Sequence, residues 1–112
     1  CGACRRACPA GCLGETGPDP ARCLSAITQK KGDLSPEEKA LVKKGGLLWG
    51  CDVCQEVCPY NRTPRITPIA AFREEIHPIL RREEMTKDIR ARACGFRGPK
   101  PLLRNDELLQ DN

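Results

Sequence analysis

A chain of 112 residues allows at most one small domain, and ten glycines, ten prolines and 4% aromatic residues exclude a large apolar core. Such a fold needs a staple, and the nine cysteines supply the candidates, so metal ligation is expected to provide much of the folding free energy. The formal charge of +4 is mild and lies in the second half: residues 1–59 carry eight basic and seven acidic side chains, residues 60–112 eleven and eight. By itself that balance marks a solvated surface more often than a nucleic-acid site.

The chain opens on Cys1-Gly2-Ala3-Cys4-Arg5-Arg6-Ala7-Cys8-Pro9. These are the last three cysteines of the bacterial ferredoxin run Cys-x2-Cys-x2-Cys-x3-Cys-Pro; the first would lie three positions before Cys1, so the chain reads as a fragment with one cluster ligand upstream. The odd cysteine count, the two-residue spacing and the lack of a signal-peptide pattern or long apolar run argue against disulfides. They point instead to metal in a reducing cytoplasm, away from any membrane. Cys12 is left over. It could replace the missing ligand, but a small buried thiol is the expected role.

Gly14 to Pro20 reads as a loop, after which Asp19-Pro20 offers an N-cap and a first-turn proline for a helix that Gly32 ends. Cys23, Leu24 and Ile27 share its apolar face. A lone cysteine there is ordinarily a core thiol, but the second motif has three local cysteines and each cube needs four, so Cys23 is read as a ligand. Ser35-Pro36-Glu37-Glu38 is a capping box with proline at the first helical position, starting a helix that runs to the Gly45-Gly46 stop. Leu47-Leu48-Trp49 then forms an apolar cover leading into the second motif.

That motif, Gly50-Cys51-Asp52-Val53-Cys54-Gln55-Glu56-Val57-Cys58-Pro59, repeats the first spacing. Its first two thiolates can reach one cube from a single tight turn, while the third, in the next helical turn, faces away. Each half can thus lend its last cysteine to the other, which implies two [4Fe–4S] clusters. The expected fold class is α+β: a bacterial-ferredoxin-like domain over residues 1–60, mostly short helices and loops, followed by a basic linker and helical tail over residues 61–112.

Within the tail, residues 60–68 are turn-rich. Short helices are expected over Ile69 to Ile76, Pro78 to Met85, Lys87 to about Ala93 and Leu102 to Leu109, too sparse in apolar residues for a core of their own and so wrapped on the cluster domain or a neighbour. His77 precedes a proline and is read as structural, and Cys94, far from both motifs, has no ligand role. Arg62, Arg65, Arg97, Lys100 and Arg104 stand in turns or at helix ends where a cation can reach a nucleic-acid backbone.

At Cys23-Leu24-Ser25-Ala26-Ile27-Thr28-Gln29-Lys30-Lys31-Gly32, at Cys51-Asp52-Val53-Cys54-Gln55-Glu56-Val57-Cys58-Pro59-Tyr60-Asn61 and at Gly95-Phe96-Arg97-Gly98-Pro99-Lys100-Pro101-Leu102-Leu103-Arg104-Asn105, the chain resembles the tRNA epoxyqueuosine reductases. The resemblance implies an oxidoreductase that reduces epoxyqueuosine in tRNA to queuosine, using cobalamin and electrons relayed from an external donor through two [4Fe–4S] clusters, in a cytoplasmic monomer. Position by position, Cys8, Cys23, Cys51 and Cys54 match the ligands of one cluster, and Cys1, Cys4 and Cys58 three of the other. That family's cobalamin domain and acid catalyst precede the first motif, so no catalytic residue is expected in these 112 residues, and they are expected to be inactive alone. Cys12 stands where the family has a residue that is not a ligand.

Three other readings compete. A free-standing two-cluster ferredoxin would carry electrons with no catalytic partner in the same chain. A corrinoid-dependent dehalogenase would carry an export signal or lack the Cys-Asp-x-Cys-Gln segment. A zinc-stapled tRNA-binding module could use the same Cys-x2-Cys pairs, though the Cys-Pro endings and the three-residue third spacing favour iron and sulfide.

Overall fold

The computed structural model describes residues 1–74, 76 and 78–111. Its elements are short because turn residues interrupt nearly every apolar run. In order they are α1 (Ala3–Ala7), the strands β1 (Leu13–Gly14) and β2 (Gly17–Pro18), and the helices α2 (Leu24–Gln29), α3 (Pro36–Gly45), α4 (Val53–Glu56), α5 (Ala71–Glu74) and α6 (Pro99–Gln110). Single 3-10 turns occupy Pro59–Asn61, Arg82–Glu84, Lys87–Ala91 and Ala93–Gly95. Helix therefore dominates, and the β part of the expected α+β class is one two-stranded antiparallel pairing, Leu13 opposite Pro18 and Gly14 opposite Gly17. No described helix is long and apolar enough to cross a membrane.

The capping box forms as its sequence dictates. Ser35 Oγ accepts from the Glu38 amide at 3.2 Å, and the Glu38 carboxylate accepts from the Ser35 amide at 2.8 Å. The Lys30 ammonium, 2.8 Å from the same carboxylate, and the Ser35 amide hold Glu38 below the usual carboxylate range. At the other end Gly46 takes a left-handed φ of 63° and returns its amide to Val42.

Two expectations for residues 14–24 are corrected. Residues 14–18 hold the hairpin in place of a loop, closed by Gly17 at φ 122°. The helix expected from Asp19-Pro20 starts later: Asp19 Oδ1 accepts from the Ala21 amide at 3.0 Å, as an Asx turn does, but Cys23 is extended (φ −68°, ψ 119°) and α2 begins at Leu24. Side-chain competition for the local backbone explains the first turn, and the extended cysteine explains why it does not propagate.

Two small apolar clusters share the interior. Leu24, Ile27, Leu34 and Val42 form one, with Cys51, Leu108 and Leu109 against it; Met85, Ile89 and Leu102 form the other, with Leu48, Trp49 and Cys94 against it. Each fully buried aliphatic side chain contributes about 1.5–3 kcal/mol relative to exposure. Helix α6 touches both clusters and packs on α2 and α3, so the tail wraps the first half of the chain. It also starts earlier than expected, because Gly98 at φ 84° places Pro99 at the first helical position. The other tail helices are shorter than expected: only Ala71–Glu74 is α-helical between 69 and 95 among the described residues. His77 lies outside the described residues.

A buried polar knot joins the halves. The Asn105 amide, fully buried, donates to the carbonyls of Thr28 (2.8 Å) and Leu48 (2.9 Å). Thr28 Oγ1 in turn accepts from the Gly50 amide at 3.0 Å, one residue before Cys51. Each group here has a partner, which is the condition for burying it.

Candidate metal centre

Cys4 lies within α1 and Cys54 within α4, and these two helices pack against each other, so the repeated motifs meet in space. The repeat is also conformational. Cys8 (φ −61°, ψ 116°) and Cys58 (φ −72°, ψ 122°) are both extended, each is followed by proline, and each carbonyl accepts from the amide three residues on, Gly11 at 3.1 Å and Asn61 at 3.0 Å. Cys23 shares that extended backbone as the residue capping α2.

Cys23 is carried to the first motif. Buried Cys12 interacts with both the Cys8 and the Cys23 thiols, its sulfur 3.5 Å from that of Cys8, so Cys8 and Cys23 gather around one side of the site. Cys51 is partly buried against the cluster of Leu24 and Ile27, the residues that follow Cys23 on α2. Burial pushes the Cys12 thiol up to about 12, with the neighbouring Cys8 and Cys23 acting in the same sense. For Cys8 desolvation acts upward, but the Cys12 amide at 3.4 Å, the Ala10 and Gly11 amides and the Cys12 thiol outweigh it and hold the thiol below its ordinary range. Amides converging on a sulfur favour its thiolate form, the form that binds iron.

The donor set suits iron and sulfide. All nine cysteines are free thiols, and those of the two motifs and Cys23 are at least partly accessible. The two Cys-x2-Cys-x3-Cys-Pro runs, joined by Cys23, have the ligand spacing of four-iron clusters rather than that of a single tetrahedral zinc ion.

Beside Cys23 an open cleft of about 750 Å³ is lined by Pro18, Gln29, Lys30, Lys31 and Arg97. Arg97 is exposed and stacks over Phe96, 5.1 Å from its ring centroid, while Phe96 meets Trp49 edge-on at 5.8 Å. Arg62, Arg65 and Lys100 are also exposed. Arg104 is not available in the way its sequence context suggested. Its guanidinium turns inward and donates to the carbonyls of Lys30 (2.8 Å), Gly32 and Thr28 and to Asn105 Oδ1, so it fastens α6 in place of facing a phosphate. The Cys8–Cys12 contact and the Asn105 knot carry no sequence motif. The only hint of the former is a cysteine four residues past Cys8, within one turn's reach.

Residues 1–61 match the family described as 4Fe–4S double cluster binding domains. An epoxyqueuosine reductase of Listeria monocytogenes is 36% identical over 115 residues, covering 94% of this chain and 30% of that protein. The chain thus spans about 30% of the length of the curated relatives it matches. A crystal structure of selenomethionine-labelled epoxyqueuosine reductase superposes with a TM-score of 0.73 at 30% identity over 97% of this chain and 31% of that one. Another, of epoxyqueuosine reductase with an epoxyqueuosine-modified tRNA stem loop, gives 0.66 at 28% identity, covering 97% and 31%.

Proposed function

Because the chain belongs to the family of 4Fe–4S double cluster binding domains, we propose that it is the electron-relay portion of an epoxyqueuosine reductase. In this reading Cys8, Cys23, Cys51 and Cys54 hold one cluster in a bacterial-ferredoxin-like arrangement, and Cys1, Cys4 and Cys58 bind three irons of a second. The observation that carries it is the joining of Cys8 and Cys23 around Cys12 while α1 packs on α4, which supports a site shared between the two motifs.

Bound there, a four-iron cluster with every iron held by thiolate supplies one-electron transfer and no open coordination site. The chain's own residues do the rest. The Cys12 amide donates to the Cys8 sulfur, and the Leu24 and Ile27 cluster keeps one side of Cys51 dry. Electrons from an external donor would pass to a cobalamin held by the remainder of the full-length protein, for the two-electron reduction of epoxyqueuosine to queuosine in tRNA. The free thiols suit a reducing cytoplasm. Exposed Arg62, Arg65, Arg97 and Lys100 are the phosphate contacts proposed for the tRNA.

The test takes the 112-residue chain and a full-length protein containing it through anaerobic reconstitution with iron and sulfide. Both should turn brown and bind both elements. With cobalamin, reductant and epoxyqueuosine-containing tRNA, the full-length protein should yield queuosine by nucleoside mass analysis. Zinc uptake with no iron–sulfur absorbance would overturn the cluster reading; intact clusters without conversion would overturn the reductase reading and favour a ferredoxin.

A further inference from the structure

Cys12 does what no motif cysteine does: it is buried, 5% exposed, and directs two donors at one sulfur. Its backbone amide lies 3.4 Å from Cys8 Sγ and its thiol 3.5 Å from the same atom. A sulfur this close to Cys8 is badly placed to bind a different iron of the same cube, since thiolates at separate corners diverge. It is well placed to donate a hydrogen bond.

We propose that Cys12 is a positioning residue that tunes the cluster ligated by Cys8, its S–H and backbone N–H both donating to the Cys8 sulfur. The inference rests on the assignment of Cys8 as a ligand. Once iron takes a lone pair of the Cys8 thiolate, only acceptor capacity remains on that sulfur, so Cys12 must be the donor of the sulfur–sulfur contact. Reduction adds negative charge to the cluster and its thiolates. A donor aimed at one of them strengthens with that charge, stabilises the reduced state and raises the potential. The turn after α1 builds this in: Pro9 and the Gly11 amide bonded to the Cys8 carbonyl fold the chain back so that Cys12 returns to Cys8.

The test uses the full-length protein with both clusters loaded, comparing wild type with Cys12→Ala and Cys12→Ser. Iron and sulfide content is measured first, then each cluster's midpoint potential by redox titration followed by electron paramagnetic resonance. In C12A the iron content should equal wild type and one potential should fall by about 59 mV, a roughly tenfold change in the equilibrium for one electron. The affected cluster should be the one lost in Cys51→Ser, and C12S, which keeps a donor, should recover part of the shift. Unchanged potentials, an equal shift of both clusters, or a C12S value no higher than C12A would overturn the proposal. Loss of iron in C12A alone would overturn it in favour of ligation by Cys12. Failure of wild type to bind iron and sulfide would instead sink the cluster assignment itself.

Discussion

The side-chain amide of Asn105 donates to the carbonyl oxygen of Thr28 at 2.8 Å, joining residues 77 positions apart at the centre of the molecule. Through the Thr28 hydroxyl, which accepts from the Gly50 amide, this bond connects the last helix to the residue before Cys51. Asn105→Ala should cost about 1–3 kcal/mol, because the carbonyls of Thr28 and Leu48 lose a buried donor. Urea unfolding of the loaded protein would measure it. The cluster lost in Cys51→Ser should also bleach faster in air in N105A than in wild type; equal bleaching would detach the knot from the metal site.

The crossed ligand pattern makes a spectroscopic prediction. Cys8→Ser and Cys51→Ser should perturb the same cluster signal, and Cys4→Ser and Cys58→Ser the other, because each motif's third cysteine faces away from its own loop. Electron paramagnetic resonance of the four reduced variants decides it. Pairing of Cys8 with Cys4 would show that each motif closes on its own cluster.

Gly95 is a packing constraint rather than a hinge. A Cβ built there runs into the backbone carbonyl of Ile89, which cannot yield without disturbing a fully buried residue. Gly95→Ala should therefore destabilise by about 1–3 kcal/mol, as overpacking does. A melting temperature within error of wild type would place the Ile89 carbonyl elsewhere in solution.

Salt dependence separates the exposed cations from Arg104, whose guanidinium is already bonded within the fold. Replacing Arg62, Arg65 and Arg97 with alanine in the full-length protein should reduce the slope of log Kd for tRNA against log salt by about 0.7–0.9 for each phosphate no longer neutralised. Arg104→Ala should leave that slope unchanged while lowering stability, since its guanidinium is committed to the Lys30, Gly32 and Thr28 carbonyls. An unchanged slope in the triple variant would return those arginines to the solvated surface.

What could be read in advance was local. The Ser35 box and the Gly46 stop close through hydrogen bonds three or four residues long, so the sequence alone sets the bounds of α3. The two Cys-x2-Cys-x3-Cys-Pro runs work the same way: their repeat of extended Cys8 and Cys58, each followed by a proline turn, needs nothing from elsewhere in the chain. Other features required the tertiary structure. Asp19 and Pro20 carry a sound helix-start signal, yet α2 begins at Leu24, where the extended backbone of Cys23 ends the preceding turn. The charge of Arg104 was visible, but not that carbonyls 72 to 76 residues away would claim it. Propensity and spacing act over one helical turn, which is the reach of the Cys12 contact with Cys8, whereas a buried donor is satisfied by whichever acceptor the packed chain brings within about 3 Å; that is why the Asn105 contact with Thr28, 77 residues long, belongs to the fold and not to any motif.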